Sequence, residues 1–261
     1  MIRMPARWSA AALGAVSVVG GLVLWEASVR LFVRGDLFMV PPSAVWTAFL
    51  RLARSGELQR HLAISSVEFA YGFALAIAAG IPLGALMASS RTVRALFDPW
   101  VAALYSTPRI ALAPLLIVWL GIGVVSKVAL VFLSAVFPIL MNTLTGVRVT
   151  DPELIEAARA FGARPRDVFV KVLIPAAVPF IVTGLRLGIG RGIIGVVVGE
   201  LLGSTAGIGY MLYTAGQTFD TATIFVGVVV IGLFGITSDL ALKWLETRLA
   251  SWRLSAERGL S

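Results

Sequence analysis

The chain has 261 residues, 58% of them hydrophobic and 14% charged, and a formal net charge of +8. A soluble domain carries about 25% charged residues, so a mean hydropathy of +0.92 excludes an ordinary water-soluble globule, a disordered chain and a basic nucleic-acid-binding arm. The lack of cysteine and the single histidine, His61, exclude a disulfide framework, a cysteine nucleophile and a multi-histidine metal centre.

What remains is an all-α integral membrane protein, because lipid tolerates no unpaired backbone groups and each hydrophobic run must close its own hydrogen bonds. About 20 apolar residues span a bilayer, and six such runs are present. The first covers residues 9–32: charge-free Ser9–Trp25 leads into Glu26 and Arg30, four apart and read as an interfacial ion pair. Trp25, Glu26 and Arg30 follow its core instead of a small-x-small cleavage pattern, which predicts a retained anchor. In Ser43–Arg60, Val45, Phe49 and Leu52 recur at helical spacing, predicting an amphipathic helix lying in the interface. Phe69–Ser90 is charge-free and forms the second span. The third, Trp100–Leu120, is interrupted by Pro108, Arg109 and Pro114 and is expected to kink.

Val128–Val147 is the fourth span, with Pro138 inside it. The fifth runs from near Pro175 towards Glu200 and crosses Arg186 and Arg191. Leu201–Phe219 is uncharged but rich in Gly, Ser and Thr, so a re-entrant or outer-face loop is expected there instead of a seventh span, and it is a candidate outer gate. Thr221–Trp244 is the sixth span, with Asp239 near its end. An even number of spans puts both termini on one side. Arg3, Arg7, Arg91, Arg94, the stretch from Arg148 to Lys171, and the tail from Lys243 to Arg258 share that side, which the basic-flank rule makes cytoplasmic. Arg34, Arg51, Arg54 and Arg60 fall on the other side, where the interfacial helix accounts for them.

Residues 148–174 form a long polar insert with helix–turn–helix grammar. Asp151 is placed as an N-cap and Pro152 as the first helical residue. Gly162 follows Phe161 where a left-handed C-terminal residue is wanted. A second short helix is expected from Pro165 to just before Pro175. Leu154, Ala158 and Phe161 are expected on one face, which must be buried either against the chain's own membrane domain or against a partner.

Glu156-Ala157-Ala158, three residues, Gly162, nine residues and Val172-Leu173-Ile174-Pro175 resemble the signature loop of permease subunits of binding-protein-dependent ABC importers. The ordinary pattern has Ile and Leu where Val172 and Ile174 stand. Pro41-Pro42-Ser43, Gly72-Phe73, Leu112-Ala113-Pro114-Leu115, Trp119-Leu120-Gly121 and Ser126-Lys127 resemble the nitrate/sulfonate/taurine-type branch. Asn142-Thr143, Gly184-Leu185-Arg186, Glu200-Leu201 and Gly207-Ile208-Gly209 extend the likeness over roughly residues 40–250. Glu68 departs from it, since that branch often has a basic residue there.

The resemblance implies a type I importer permease fold with about six spans, in an inner membrane. It implies that a cytoplasmic ATPase dimer binds ATP and Mg, that an extracytoplasmic binding protein delivers the solute, and that a second permease copy completes the path. This chain would then bind no cofactor and catalyse nothing; it has no Gly-x-x-x-x-Gly-Lys-Ser/Thr loop to cradle phosphates. The docking residues implied are Glu153, Leu154, Glu156, Ala157, Ala158, Arg159, Phe161, Gly162 and Pro175. The organisation expected is an anchor over 1–33, an interfacial segment over 34–60, a transport domain over 61–247 and a tail over 248–261. Contacts with lipid and none with nucleic acid are expected.

Charges within spans are costly and face protein or water. Arg186 and Arg191 therefore either line the path and attract an anion such as a sulfonate, taurine, nitrate or bicarbonate, or pair with Glu68, Glu200 or backbone carbonyls, while Arg109, next to Pro108, serves either a kink or the path. His61 is expected at the interface. The rival readings are an ion-coupled secondary transporter using Glu68, Glu200 and Asp239, and an ABC permease for a vitamin precursor.

Overall fold

The charge-free runs become long helices, and the prolines and glycines between them decide where each one stops. The computed structural model describes residues 10–32 and 39–249. Arg3, Arg7, Arg34, Arg253 and Arg258, and nearly all of the tail expected over 248–261, lie outside the described residues. In chain order the elements are α1 (Ala10–Phe32), α2 (Pro42–Arg54), α3 (Glu57–Ser89), α4 (Arg91–Ser106), a 3₁₀ turn (Arg109–Leu112), α5 (Ala113–Leu120) and α6 (Val124–Arg148). There follow α7 (Pro152–Ala160), α8 (Pro165–Val168), a π-helical turn (Phe169–Leu173), α9 (Ile174–Gly203), α10 (Ile208–Gln217) and α11 (Thr221–Leu249). No strand occurs among the described residues.

Five stretches are long and apolar enough to cross a bilayer, Ala12–Phe32, Glu57–Ser89, Val124–Arg148, Pro165–Gly203 and Thr221–Trp244, and the bent pair Arg91–Ser106 and Arg109–Leu120 makes a sixth if counted as one span. That pair is bent by 89°, so the expected kink is a full corner. Pro108 cannot donate and forces the residue before it out of the helical region, so Thr107 is extended at φ −72° and ψ 131°. Pro114 then sits in the first turn of α5, where a missing donor costs nothing.

Three expectations are corrected. The amphipathic helix stops at Arg54, because Gly56 adopts φ +78° and turns the chain, and α3 starts at Glu57, well before Phe69. Its apolar face does not rest on lipid alone: Ala48 and Leu52 are buried against Leu58, Ile208, Met211, Val226 and Val230. Arg51 ties the same helix to Asp220 at 3.0 Å. Burial pushes the Asp220 carboxyl up, but bonds from the Thr223 amide and hydroxyl and from Arg51 outweigh it and hold it below the usual carboxylate range. The second loop helix does not stop before Pro175. It passes through the π turn, where the Ile174 amide donates to the Phe169 carbonyl, and continues as α9. The wide turn relieves the clash a proline ring makes with the carbonyl four residues back.

The expected loop at 201–219 is a short turn followed by α10, whose 10 residues cannot span a bilayer. Glu26 and Arg30 do pair, at 2.6 Å, and Glu26 also accepts from the Ser43 amide and hydroxyl, which pins α1 to the start of α2. Otherwise α1 packs little, and Val16, Val19, Val23 and Leu24 face outward.

The core is α6, held between α3 and α9. Without a hydrophobic drive between helices in lipid, close contact has to hold them together, and small residues permit it. A Cβ on Gly72 of α3 would lie 2.5 Å from Val131 Cβ and 2.7 Å from the Val128 carbonyl oxygen, both on α6. A Cβ on Gly184 of α9 would lie 2.9 Å from Asn142 Cβ, on the same helix's other flank. Gly72→Ala is therefore expected to destabilise the folded protein by about 1–3 kcal/mol, seen as a lowered melting temperature in detergent. Gly20→Ala, with nothing within 4 Å in α1, should leave it unchanged or slightly raised.

Candidate functional site

The first site is a buried polar cluster at the end of the bundle away from the 149–164 loop. Lys127 (1% exposed), Glu200 (1%) and Glu68 (2%) come from α6, α9 and α3. The Lys127 ammonium donates to the Gly203 carbonyl. Glu200 accepts from the Ser65 hydroxyl at 2.5 Å and from the Gly209 amide at 2.6 Å. Ser65 in turn accepts from the Ile208 amide at 2.8 Å, and His61 Nδ1 from the Gly207 amide at 3.0 Å. Three elements, α3, α6 and α9, thus converge on the turn before α10, and Gly207, at φ +115°, lies so close to Glu200 that a side chain there has no room. Glu68 abuts both Glu200 and Lys127, and its Oε2 has no hydrogen-bond partner.

His61, expected at the interface, is buried near the start of α3 and accepts a bond from the turn. The sequence reading also missed Lys127, because it started the fourth span one residue later, at Val128. An ammonium bordering a charge-free run was the available signal.

A cavity of about 200 Å³ lies nearer the middle of the bundle, lined by Thr107, Pro108, Arg109, Ser134, Arg191 and Ile194. The corner between α4 and α5 supplies Arg109, and α9 supplies Arg191. Arg109 is held by the Tyr105 carbonyl at 3.2 Å and lies over the Tyr105 and Phe137 rings, 5.3 and 5.4 Å from their centroids. Arg191 makes no ion pair among the described residues, and no carboxylate lines the cavity. Pro138 lacks an amide hydrogen, which leaves the Ser134 carbonyl without its helical donor in the cavity wall. Two guanidiniums with an empty volume between them can bind an anion by charge-assisted hydrogen bonds.

The four candidate pathway or helix-pairing charges fall in three places. Arg109 and Arg191 share this cavity; Glu200 is in the buried cluster. Arg186 pairs with neither Glu68 nor Glu200, but with Asp239 at 2.7 Å and Glu246 at 3.6 Å on α11. Asp239 also takes Lys243 at 2.9 Å, so Arg186 is a helix-pairing residue.

The polar loop folds as its residues dictate. Asp151 accepts from the Glu153 amide at 2.9 Å, and Pro152 begins α7. Gly162, at φ +81°, reverses the chain, its amide donating to the Arg159 carbonyl at 2.9 Å while the Ala163 amide donates to Ala158 at 3.0 Å. The face differs by one residue from that expected. Ile155 and Ala158 are half-buried, while Leu154 (54% exposed), Ala157 and Phe161 (93%) face outward with Glu153, Glu156 and Arg159. No residue of α7 is fully buried, so its apolar edge is not folded back against the membrane helices. Pro175 lies apart from this surface, in the first turn of α9.

A bundle of membrane helices with an arginine-lined cleft and an exposed loop helix fits a membrane transport subunit. Residues 80–251 match the family described as binding-protein-dependent transport system inner membrane component. The chain belongs to that family and is a multi-pass permease subunit of an ABC importer, which implies an ATPase and a binding protein as partners. It is 36% identical over 236 residues to the protein named for aliphatic sulfonates transport, SsuC of Bacillus subtilis, covering 90% of this chain and 86% of that one. It is 34% identical over 245 residues to the taurine transport system permease protein TauC of Escherichia coli, covering 92% and 88%. The formylaminopyrimidine transport permease protein ThiX of Halalkalibacterium halodurans is 34% identical over 233 residues, covering 89% and 92%. Among solved structures, the inward-facing MetNI methionine ABC transporter matches with a TM-score of 0.52 and 25% identity, over 69% of this chain and 90% of that one.

The buried cluster gives a test of its own. Lys127→Met removes the only cation in it and leaves two buried carboxylates, which should cost about 3–5 kcal/mol and be read as a large fall in melting temperature. Adding Glu200→Gln to Lys127→Met should restore part of that loss. A double variant as unstable as the sum of the two single ones would show that the two groups do not interact.

Proposed function

We propose that this permease carries a small organic anion of the sulfonate class, with Arg109 and Arg191 as the groups that hold it in transit. The observation that carries the reading is the cavity they share, which contains positive charge and no carboxylate. Relatives at similar identity are named for sulfonates, for taurine and for a formylaminopyrimidine. A neutral pyrimidine gives two unpaired guanidiniums nothing to neutralise, whereas a sulfonate offers three oxygens to them. An ion-coupled mechanism has less support, because, of its three carboxylates, Glu200 already accepts two hydrogen bonds and Asp239 is engaged by two cations, which leaves Glu68 alone.

In this reading α7 is the handle gripped by the ATPase. Phe161 and Leu154 are its apolar anchors, Ala157 allows close approach, and Glu153, Glu156 and Arg159 pair with charges across the interface. A second copy supplies the other half of the path and a second handle, so each ATPase of a pair engages one. ATP and Mg bind the ATPases and none of the chemistry falls on this chain. Both termini and the 148–174 loop lie in the cytoplasm, with 1–33 as anchor, 34–60 on the outer side, 61–247 as transport domain and 248–261 as tail. The corner at Pro108 and Pro114 is the hinge by which closure of the ATPases opens the path outward.

Two measurements test this. Arg109→Gln with Arg191→Gln should lower taurine or alkanesulfonate uptake by at least about tenfold, one lost charge-assisted contact being worth about 1.5–3 kcal/mol, while the ATPase still co-purifies with the permease. Gly162→Val, which forces a β-branched residue to positive φ, and Glu156→Lys should abolish uptake and weaken ATPase co-purification without lowering the amount of permease in the membrane. Wild-type uptake in both loop variants would remove the docking assignment.

A further inference from the structure

The arginine-lined cavity borders a second hollow across the contact of Arg109 with Tyr105. Ser134, in its wall, is one of three residues spaced by seven on α6, the others being Met141 and Arg148. Seven residues are close to two helical turns, so the three share one face, about 21 Å long at roughly 1.5 Å per residue. Below Ser134 on that face comes Phe137, whose ring lies under Arg109 and edge-on to Tyr105. Tyr105 and Met141 then line a groove of about 610 Å³ between α4 and α6, which ends at Asp98. Asp98 also lines the next cavity, of about 370 Å³, with Arg91, Arg94 and Arg148 around it. The end reached is the one from which the polar loop emerges.

We infer that this face of α6 is a continuous anion groove, and that Arg91, Arg94 and Arg148 form a second anion station at its loop end. The inference rests on the reading of Arg109 and Arg191 as the first station. The charges support it. Arg94 is engaged by Asp98 at 3.1 Å, whereas Arg91 and Arg148 make no ion pair among the described residues. Three guanidiniums against one carboxylate leave the cavity net positive. Between the two stations the groove presents Val101, Ala102, Tyr105 and Met141, with one phenol and no cation, so an anion has nothing there to hold it. Binding at either end with a weak stretch between lets a solute be attracted without being trapped, and the free arginines at the loop end draw it onward.

The chain contains no cysteine, which makes the test direct. Thr107→Cys marks the first station and Met141→Cys the groove, each in the whole importer in membrane vesicles. Reaction rates are compared for an anionic sulfonatoethyl and a cationic trimethylammonium methanethiosulfonate, normalised to a free thiol. Both positions are expected to favour the anionic reagent by about tenfold, as a cleft lined by one sign of charge does. Adding Arg91→Gln and Arg148→Gln should bring Met141→Cys near parity and leave Thr107→Cys unchanged. Anion preference at Thr107→Cys without any at Met141→Cys would overturn the groove and spare the first station. Parity at both would overturn both. A Met141→Cys closed to the two water-soluble reagents but labelled by a membrane-soluble maleimide would mean that lipid or a second chain fills the groove, which also overturns it.

Discussion

The approach of α3 and α9 to α6 is the constraint from which the rest of the structure follows. In lipid an apolar side chain gains nothing by leaving its neighbours for another helix, so the helices are held by contact distance and by polar groups with nowhere else to go. Gly72, Gly80 and Gly84 line α3 where it meets α6, and Gly184, Gly188, Gly192, Gly195 and Gly199 line α9. Missing side chains on both flanks bring two backbones onto α6, while α6 keeps Val131, Ile139 and Leu140 fully buried between them. Once α6 cannot shift, every group on it is positioned: Lys127 at one end, Ser134 and Phe137 in the middle, Arg148 at the other.

The two ends of this clamp are held very differently. At the Lys127 end, hydrogen bonds from α3, α6 and α9 all converge on the Gly203–Gly209 turn, where Lys127, Glu68 and Glu200 are buried together. Removing any one partner leaves a buried polar group unsatisfied, so this end resists rearrangement. The corner at Pro108 is different. Arg109 is held by one carbonyl and two aromatic faces, α5 keeps a single buried residue, and Trp100, Val118 and Trp119 stand largely exposed. The cavity therefore has one wall, α6 with α9, that is rigid and another, the broken helix, that can move with little lost contact.

Much of this was legible in the sequence, and the misses have physical causes. The six spans, the proline corner and the Asp151-Pro152…Gly162 loop were readable because charge-free runs, proline and glycine act locally, on backbone groups within a few residues. The end of α2 was not, since Gly56 does not announce whether it will adopt a left-handed conformation. Nor was the continuation of α8 through Pro175, which depends on a π turn that no local preference specifies. Among the charges, sequence order gives no pairing. Arg186 meets Asp239 across 53 positions and Glu200 meets Ser65 across 135, so an arginine and a glutamate on one span turned out to serve separate sites. The outward face of α7 missed by one residue, because Leu154 and Ala158 share a face about as well as Leu154 and Ala157 do, and spacing cannot foresee how α7 packs on α8 and the π turn.

That contact matters for how force reaches the cavity. Phe161 at 93% exposure and Leu154 at 54% leave apolar area in water that a partner could cover, each side chain being worth about 1.5–3 kcal/mol if fully buried. A partner gripping α7 as proposed would act on α8 and the π turn, the elements α7 packs against. From Pro165 to Gly203 the backbone is one uninterrupted 39-residue helix, because the π turn absorbs Pro175 instead of breaking at it. Arg186, Arg191 and Glu200 ride on that helix in order. In the proposed docking, a displacement of the loop would be delivered along this rod first to the Asp239 pairing, then to the arginine of the cavity, and last to the cluster that pins the turn before α10. Had Pro175 ended the helix, as its chemistry alone suggests, the loop and the cavity would be joined by a hinge and the same displacement would be dissipated there. The π turn converts a proline that should uncouple the two into a segment that joins them.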